Sequence, residues 1–195
     1  MHDIMEQYRK EILENNSNKV INLIGDTNSQ FLKALDKRAS DLGVVTVHNE
    51  SMDRFRSVID IETCGYDIDV NLDNDIDYVR AHGPSSVAEG VYMILRRKGT
   101  VEGKHVVIIG RGHSVKGLDR LLIDNDSTVT ICHSKTQNIR EICSVCDCIV
   151  TSTSSVVDNL KDLGKPIINI ADGTPNGLSG LTTMILVHRA VMWDT

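Results

Sequence analysis

The stretch Lys104–Thr136, KHVVIIGRGHSVKGLDRLLIDNDSTVTICHSKT, decides the fold of this 195-residue chain. An apolar run, His105–Gly110, breaks at Gly110-Arg111-Gly112 and passes into a helical pattern over Ser114–Asn125. A second apolar run, Thr128–Cys132, follows and ends in His133-Ser134-Lys135-Thr136. Strand, glycine turn, helix and strand in that order form a right-handed crossover between parallel neighbours. The pattern continues downstream with apolar runs at Cys148–Thr151 and Pro166–Ile170, separated by helical patterns at Asn138–Cys146 and Val156–Leu163. Runs without strict alternation, such as VVIIG and PIINI, suit strands covered on both faces. The expected fold class is α/β, with a doubly wound parallel sheet in the C-terminal part.

The N-terminal hundred residues repeat the theme. Helices are expected over Met5–Asn15, Ser29–Leu42 and Ser85–Lys98, and strands over Lys19–Gly25 and Val44–His48. Ser51–Val58 reads as a short helix capped by Ser51, and the acidic run Tyr66–Asp77 as a solvated loop or edge strand. Residues 178–195 contain a last apolar helix expected to return to the first lobe. The division expected is therefore 1–99 with 178–195 as a smaller N-terminal α/β lobe and 100–177 as a nucleotide-binding lobe, with a cleft between them.

The chemistry sits in the turns at the carboxyl ends of the strands. Gly110 permits a sharp turn, Gly112 close approach of a phosphate, and a helix from Ser114 would offer its N–H groups to the anion. Arg111, His113, Ser114 and Val115 complete the loop. A site for NAD usually carries an acid at the end of the second strand, to hold the ribose diol. Here His133, Ser134, Lys135 and Thr136 stand in its place, and a hydroxyl, an imidazole and cations suit a 2′-phosphate. NADP is thus expected over NAD, with Thr151 and Ser152 on the rim of the same crevice. No catalytic residue is assigned.

The net charge of −6 argues against a general nucleic-acid partner. No apolar run approaches the roughly 20 residues of a membrane span. The amphipathic, acid-containing N-terminus resembles neither a secretory signal nor a transit peptide, so a cytoplasmic protein is expected. Of the five cysteines, Cys143, Cys146 and Cys148 form C-x-x-C-x-C. Zinc or iron–sulfur ligation is one reading. Their place on apolar faces favours the other, small buried hydrophobes, and no metal is expected.

The motifs resemble those of the bifunctional methylenetetrahydrofolate dehydrogenase/cyclohydrolase family, FolD. Ile108–Leu118 is similar to its V-I-G-R-S-x-x-V-G-x-P, and Thr128–Thr136 matches its T-V-T-x-C-H-S-x-T without departure. Asp67-Ile68-Asp69 resembles the D-V-D of its D-V-D-G-F-H segment, and Pro175–Thr182 its P-G-G-V-G-P-M-T. The resemblance implies two lobes, NADP, a folate or other small substrate touching Asp69 and Gly177, and a homodimer. The departures are as informative. The family's cyclohydrolase lysine lies in Y-x-x-x-K, where this chain has Phe31 or Leu32 followed by Leu35 or Asp36. Its V-Q-L-P-L-P segment has no counterpart before Asp67. Two functions are expected on that basis: an NADP-dependent methylenetetrahydrofolate dehydrogenase without cyclohydrolase activity, or a catalytically lapsed binder of cofactor or folate with a regulatory or scaffolding role.

Overall fold

The computed structural model of the chain describes residues 2–17, 19–48, 57–60, 84–171 and 177–192. The chain divides into two compact units, Met1–His82 with Ser179–Thr195, and Gly83–Leu178.

In the first unit, helix α1 (His2–Asn15) leads into strand β1 (Val20–Ile24), helix α2 (Gln30–Asp41), strand β2 (Val45–His48) and strand β3 (Ser57–Asp60). The sheet order is β2-β1-β3, and both pairings are parallel. Helix α2 begins where the Ser29 hydroxyl accepts the Leu32 N–H and ends before Gly43, which turns with φ +72°. Leu32, Leu35 and Ala39 recur on one face and are buried against Ile21 and Leu23 of β1. The final helix, α6 (Leu178–Val191), contributes Val187 and Val191 to the same core. Its His188 stacks on Tyr8 of α1 with ring centroids 4.1 Å apart. His188 Nε2 also lies 2.6 Å from Glu11 Oε2.

One expectation in this unit is corrected. Ser57 and Val58 lie in a strand, not at the end of a short helix, because Ile21 and Asn22 of β1 pair with them. The proposed cap at Ser51 lies outside the described residues.

The second unit opens with helix α3 (Ser86–Arg97), which therefore belongs with the Gly83–Leu178 unit although sequence reading placed it in the first lobe. Strand β4 (His105–Ile109), helix α4 (Leu118–Ile123), strand β5 (Thr128–Cys132), helix α5 (Ile139–Ser144), strand β6 (Cys148–Thr151) and strand β7 (Ile167–Asn169) follow. The sheet is wholly parallel with order β5-β4-β6-β7. The chain winds from β4 outward to β5 and then crosses to β6 on the other side, so the topological switch point lies between β4 and β6.

Two of the expected helices are broken. Val156–Leu163 is replaced by two 3-10 turns, Ser154–Val156 and Lys161–Leu163, in a Ser- and Val-rich segment with little helical preference. The helix expected from Ser114 starts only at Leu118. His113–Val115 form a separate 3-10 turn, Lys116 is extended (φ −61°, ψ 124°) and Gly117 is left-handed (φ +77°).

Cys132, Cys143, Cys146 and Cys148 are all buried free thiols. The first three pack with Val107, Ile149 and Leu160 in one apolar cluster. Burial pushes the Cys143 and Cys148 thiols up to about 11, with neighbouring Cys146 adding to both. Among the described residues, no group of three or more His, Cys, Asp or Glu could hold a metal ion.

Candidate nucleotide site

The carboxyl ends of β5, β4 and β6 are aligned by register, Ile109 facing both Cys132 and Thr151. Gly110 leaves β4 with φ +119°, a conformation closed to L side chains, and donates its N–H to Cys132 O at 2.9 Å. Across the switch point, Ser152 N donates to Ile109 O at 3.0 Å, and its hydroxyl lies 3.4 Å from the same oxygen. Ser152 stands so close over Gly110 that a Cβ there would meet its Oγ at 2.0 Å.

Beyond Gly110 the loop opens. A Cβ placed on Gly112 would meet nothing within 4 Å, so its backbone is approachable by a bulky anion. A cavity of about 440 Å³ lies along this loop, bordered by Gly110, Arg111, Gly112, His113, Val115 and Lys116. Its size is that of a small-molecule site. Two permanent cations, Arg111 and Lys116, one imidazole and one carboxylate, Asp119, therefore line the same space as an exposed glycine backbone. Helix α4 adds little field, since it is one and a half turns long and its first turn holds Asp119. Attraction for an anion here comes from side-chain charge and loop N–H groups.

The remaining residues singled out by sequence lie elsewhere. Ser114 is not part of the cavity lining; its carbonyl accepts a hydrogen bond from the Ser85 hydroxyl at 3.2 Å. His133–Thr136 form a tight turn at the end of β5. There Thr136 Oγ1 accepts the His133 N–H at 2.9 Å, and the Lys135 N–H donates to His133 Nδ1 at 3.2 Å. The Ser134 and Lys135 side chains are exposed beside it. Thr151 is fully buried and its hydroxyl is engaged by Thr153, accepting its N–H and donating to its O, each at 3.0 Å. Gly177 is exposed with φ +81°, and Asp69 lies outside the described residues. Sequence reading missed Pro84 and Ser85, whose only signal was a helix cap.

On α2, Leu32 and Leu35 are in the core, Asp36 bonds Thr46, and Lys33 and Lys37 are exposed. In either register, the position of the family lysine carries no amine.

Residues 85–160 match the family model for the tetrahydrofolate dehydrogenase/cyclohydrolase NAD(P)-binding domain. The bifunctional protein FolD of Malacoplasma penetrans is 37% identical over 93 residues, 47% of this chain and 33% of that protein. Over these residues the chain is similar to the NAD(P)-binding domain of FolD proteins. It spans about a third of the length of the curated relatives it matches. FolD structures share the fold more widely. The bifunctional enzyme of Thermoplasma acidophilum superposes with a TM-score of 0.70 at 16% identity, covering 98% of this chain and 97% of its own. The Trypanosoma brucei FolD complexed with NADP cofactor and inhibitor gives 0.69, also at 16% identity, covering 98% and 95%. Against the FolD loop pattern, the cavity keeps Gly110 and Arg111, while Lys116 replaces the glycine of V-G-x-P and stands on the rim.

Proposed function

We propose that this chain binds NADP(H) along the Gly110–Gly117 loop and acts as a methylenetetrahydrofolate dehydrogenase without cyclohydrolase activity. The observation that carries the reading is the open glycine backbone at Gly112 beside Arg111 and Lys116, on a loop that leaves the switch point of a parallel sheet. The residues present fit such a cofactor. The loop and its cations would hold the pyrophosphate, and the exposed Ser134 and Lys135, with no carboxylate in the turn, favour a 2′-phosphate over a bare ribose diol. When bound, the nicotinamide supplies the hydride acceptor. The protein's task is then to orient and to exclude water, which survives loss of an acid–base lysine. Ring opening does not survive it, because hydration needs a positioned proton carrier. The buried Leu32 and Leu35 support that split. Association into a cytoplasmic homodimer goes with this reading, and among the described residues no helix is long and apolar enough to cross a membrane.

The test pairs binding with turnover. NADP should raise the melting temperature more than NAD at equal concentration, methylenetetrahydrofolate should yield NADPH, and methenyltetrahydrofolate should not be hydrolysed above background. Cofactor binding without turnover would establish the lapsed, regulatory reading, and failure to bind either nucleotide would refute both.

A further inference from the structure

Besides the internal bonds of its 3-10 turn, the nucleotide loop is tied to the start of α3. Three contacts make the tie. Ser85 N donates to Lys116 O at 3.0 Å, and Ser85 Oγ donates to Ser114 O at 3.2 Å. Gly117 is pressed on Pro84, so that a Cβ at 117 would lie 2.7 Å from Pro84 Cα. Ser85 is 2% exposed. Its one hydroxyl does two jobs, accepting the Ala88 N–H at 3.1 Å as the helix cap while donating to the loop.

These bonds explain the loop's departure from helix. A carbonyl held by Ser85 is withdrawn from the i→i−4 ladder, so the peptide at Lys116 extends and α4 is delayed to Leu118. They also set the direction of the loop's donors. In a trans peptide the C=O and the next N–H point opposite ways. With Lys116 O turned to α3, the N–H of Gly117 faces away from it.

We propose that Ser85 is a positioning residue for the nucleotide loop: its hydroxyl and N–H fix the carbonyls of residues 114 and 116 and thereby preorganise the loop for the cofactor's phosphates. The inference rests on the reading that this loop binds NADP(H). Ser85 itself touches no cofactor; it acts through Ser114 and Lys116.

The experiment is an NADP titration of the full chain, followed by intrinsic fluorescence or calorimetry, with the wild type, Ser85→Ala, Ser85→Gly and Ser85→Thr. Glycine is nearly as good a helix cap as serine, so Ser85→Gly keeps α3 started while deleting the hydroxyl's bond to Ser114 O. Melting curves without ligand fix a temperature at which every variant is folded. Ser85→Gly and Ser85→Ala should bind NADP roughly 5- to 10-fold more weakly there, the share of one lost buried hydrogen bond or slightly more. Ser85→Thr, which restores the hydroxyl, should recover the affinity. A role confined to capping would lower the melting temperature of Ser85→Ala and leave the affinity of folded Ser85→Gly unchanged, which overturns the proposal. Wild type that binds no NADP overturns the functional reading as well, so the two failures are told apart by the wild-type titration.

Discussion

Replacing Gly110 with alanine perturbs the switch point at its tightest place, and the structure allows the cost to be worked out in parts. The backbone there has φ +119°. Holding an L residue in a glycine-only region costs about 1–3 kcal/mol. The added Cβ would lie 2.0 Å from Ser152 Oγ and 3.3 Å from Ser152 Cβ. The hydroxyl can rotate clear, giving up its long 3.4 Å bond to Ile109 O, for about 0.5–1 kcal/mol. The sum is about 1.5–4 kcal/mol, or roughly 3–16 °C in melting temperature for a chain of this size. Circular-dichroism melts of wild type, Gly110→Ala, Ser152→Gly and the double variant form a cycle. The double variant should be destabilised by about 0.5–1 kcal/mol less than the sum of the two single changes, because the hydroxyl bond is lost in both. A Gly110→Ala protein melting within about 1 °C of wild type would mean that neither the backbone conformation nor Ser152 restricts position 110. Full recovery in the double variant would show that the clash, not the backbone, limits position 110.

Other perturbations test the remaining physical claims. Leu35→Lys places an ammonium in the core of the first unit, where Leu35 is 0% exposed. It should destabilise by at least the about 2–5 kcal/mol of a large-to-small change, measured by urea unfolding, and restore no cyclohydrolase activity; a stable, hydrolytic variant would contradict the assignment of that face. The thiols of Cys143 and Cys148, raised by burial from 9.0 to about 11, stay protonated in the native chain while unfolded thiols ionise. The native state then binds more protons, so stability should be full below pH 9.0 and fall as pH rises toward about 11. Cys143→Ala with Cys148→Ala should flatten that alkaline limb in melts against pH. Glu11 is held below its ordinary value of 4.5, first by Gln7 and then by His188. Its contribution is present above pH 4.5 and lost as pH falls through the depressed value. Glu11→Gln should therefore show a shallower acid limb, and an unchanged limb would exclude this pair as a contributor.

Two C-terminal strands, Thr128–Cys132 and Cys148–Thr151, have the bounds read from sequence, while β4 stops at Ile109, one residue short, and β7 keeps only Ile167–Asn169 of the expected Pro166–Ile170. Continuous β-branched and apolar runs bounded by Gly, Asp or Ser admit one assignment, and short helices between them dictate parallel pairing. Gly110 and Gly117 were equally plain, because positive φ leaves a compositional trace. The departure of α2 from the family lysine was legible too, since it needs only residue identity.

What the chain alone left undecided was settled by contacts between residues distant in sequence. The helix start moved from Ser114 to Leu118 because Ser85, 29 residues upstream, takes the Ser114 carbonyl. Ser57–Asp60 are a strand because β1 supplies their partners. Local pattern fixes which segments bury an apolar face, since period and composition act over a few residues. It is blind to which buried carbonyl finds which donor, because that depends on the whole chain being packed, and there tertiary structure overrode local preference.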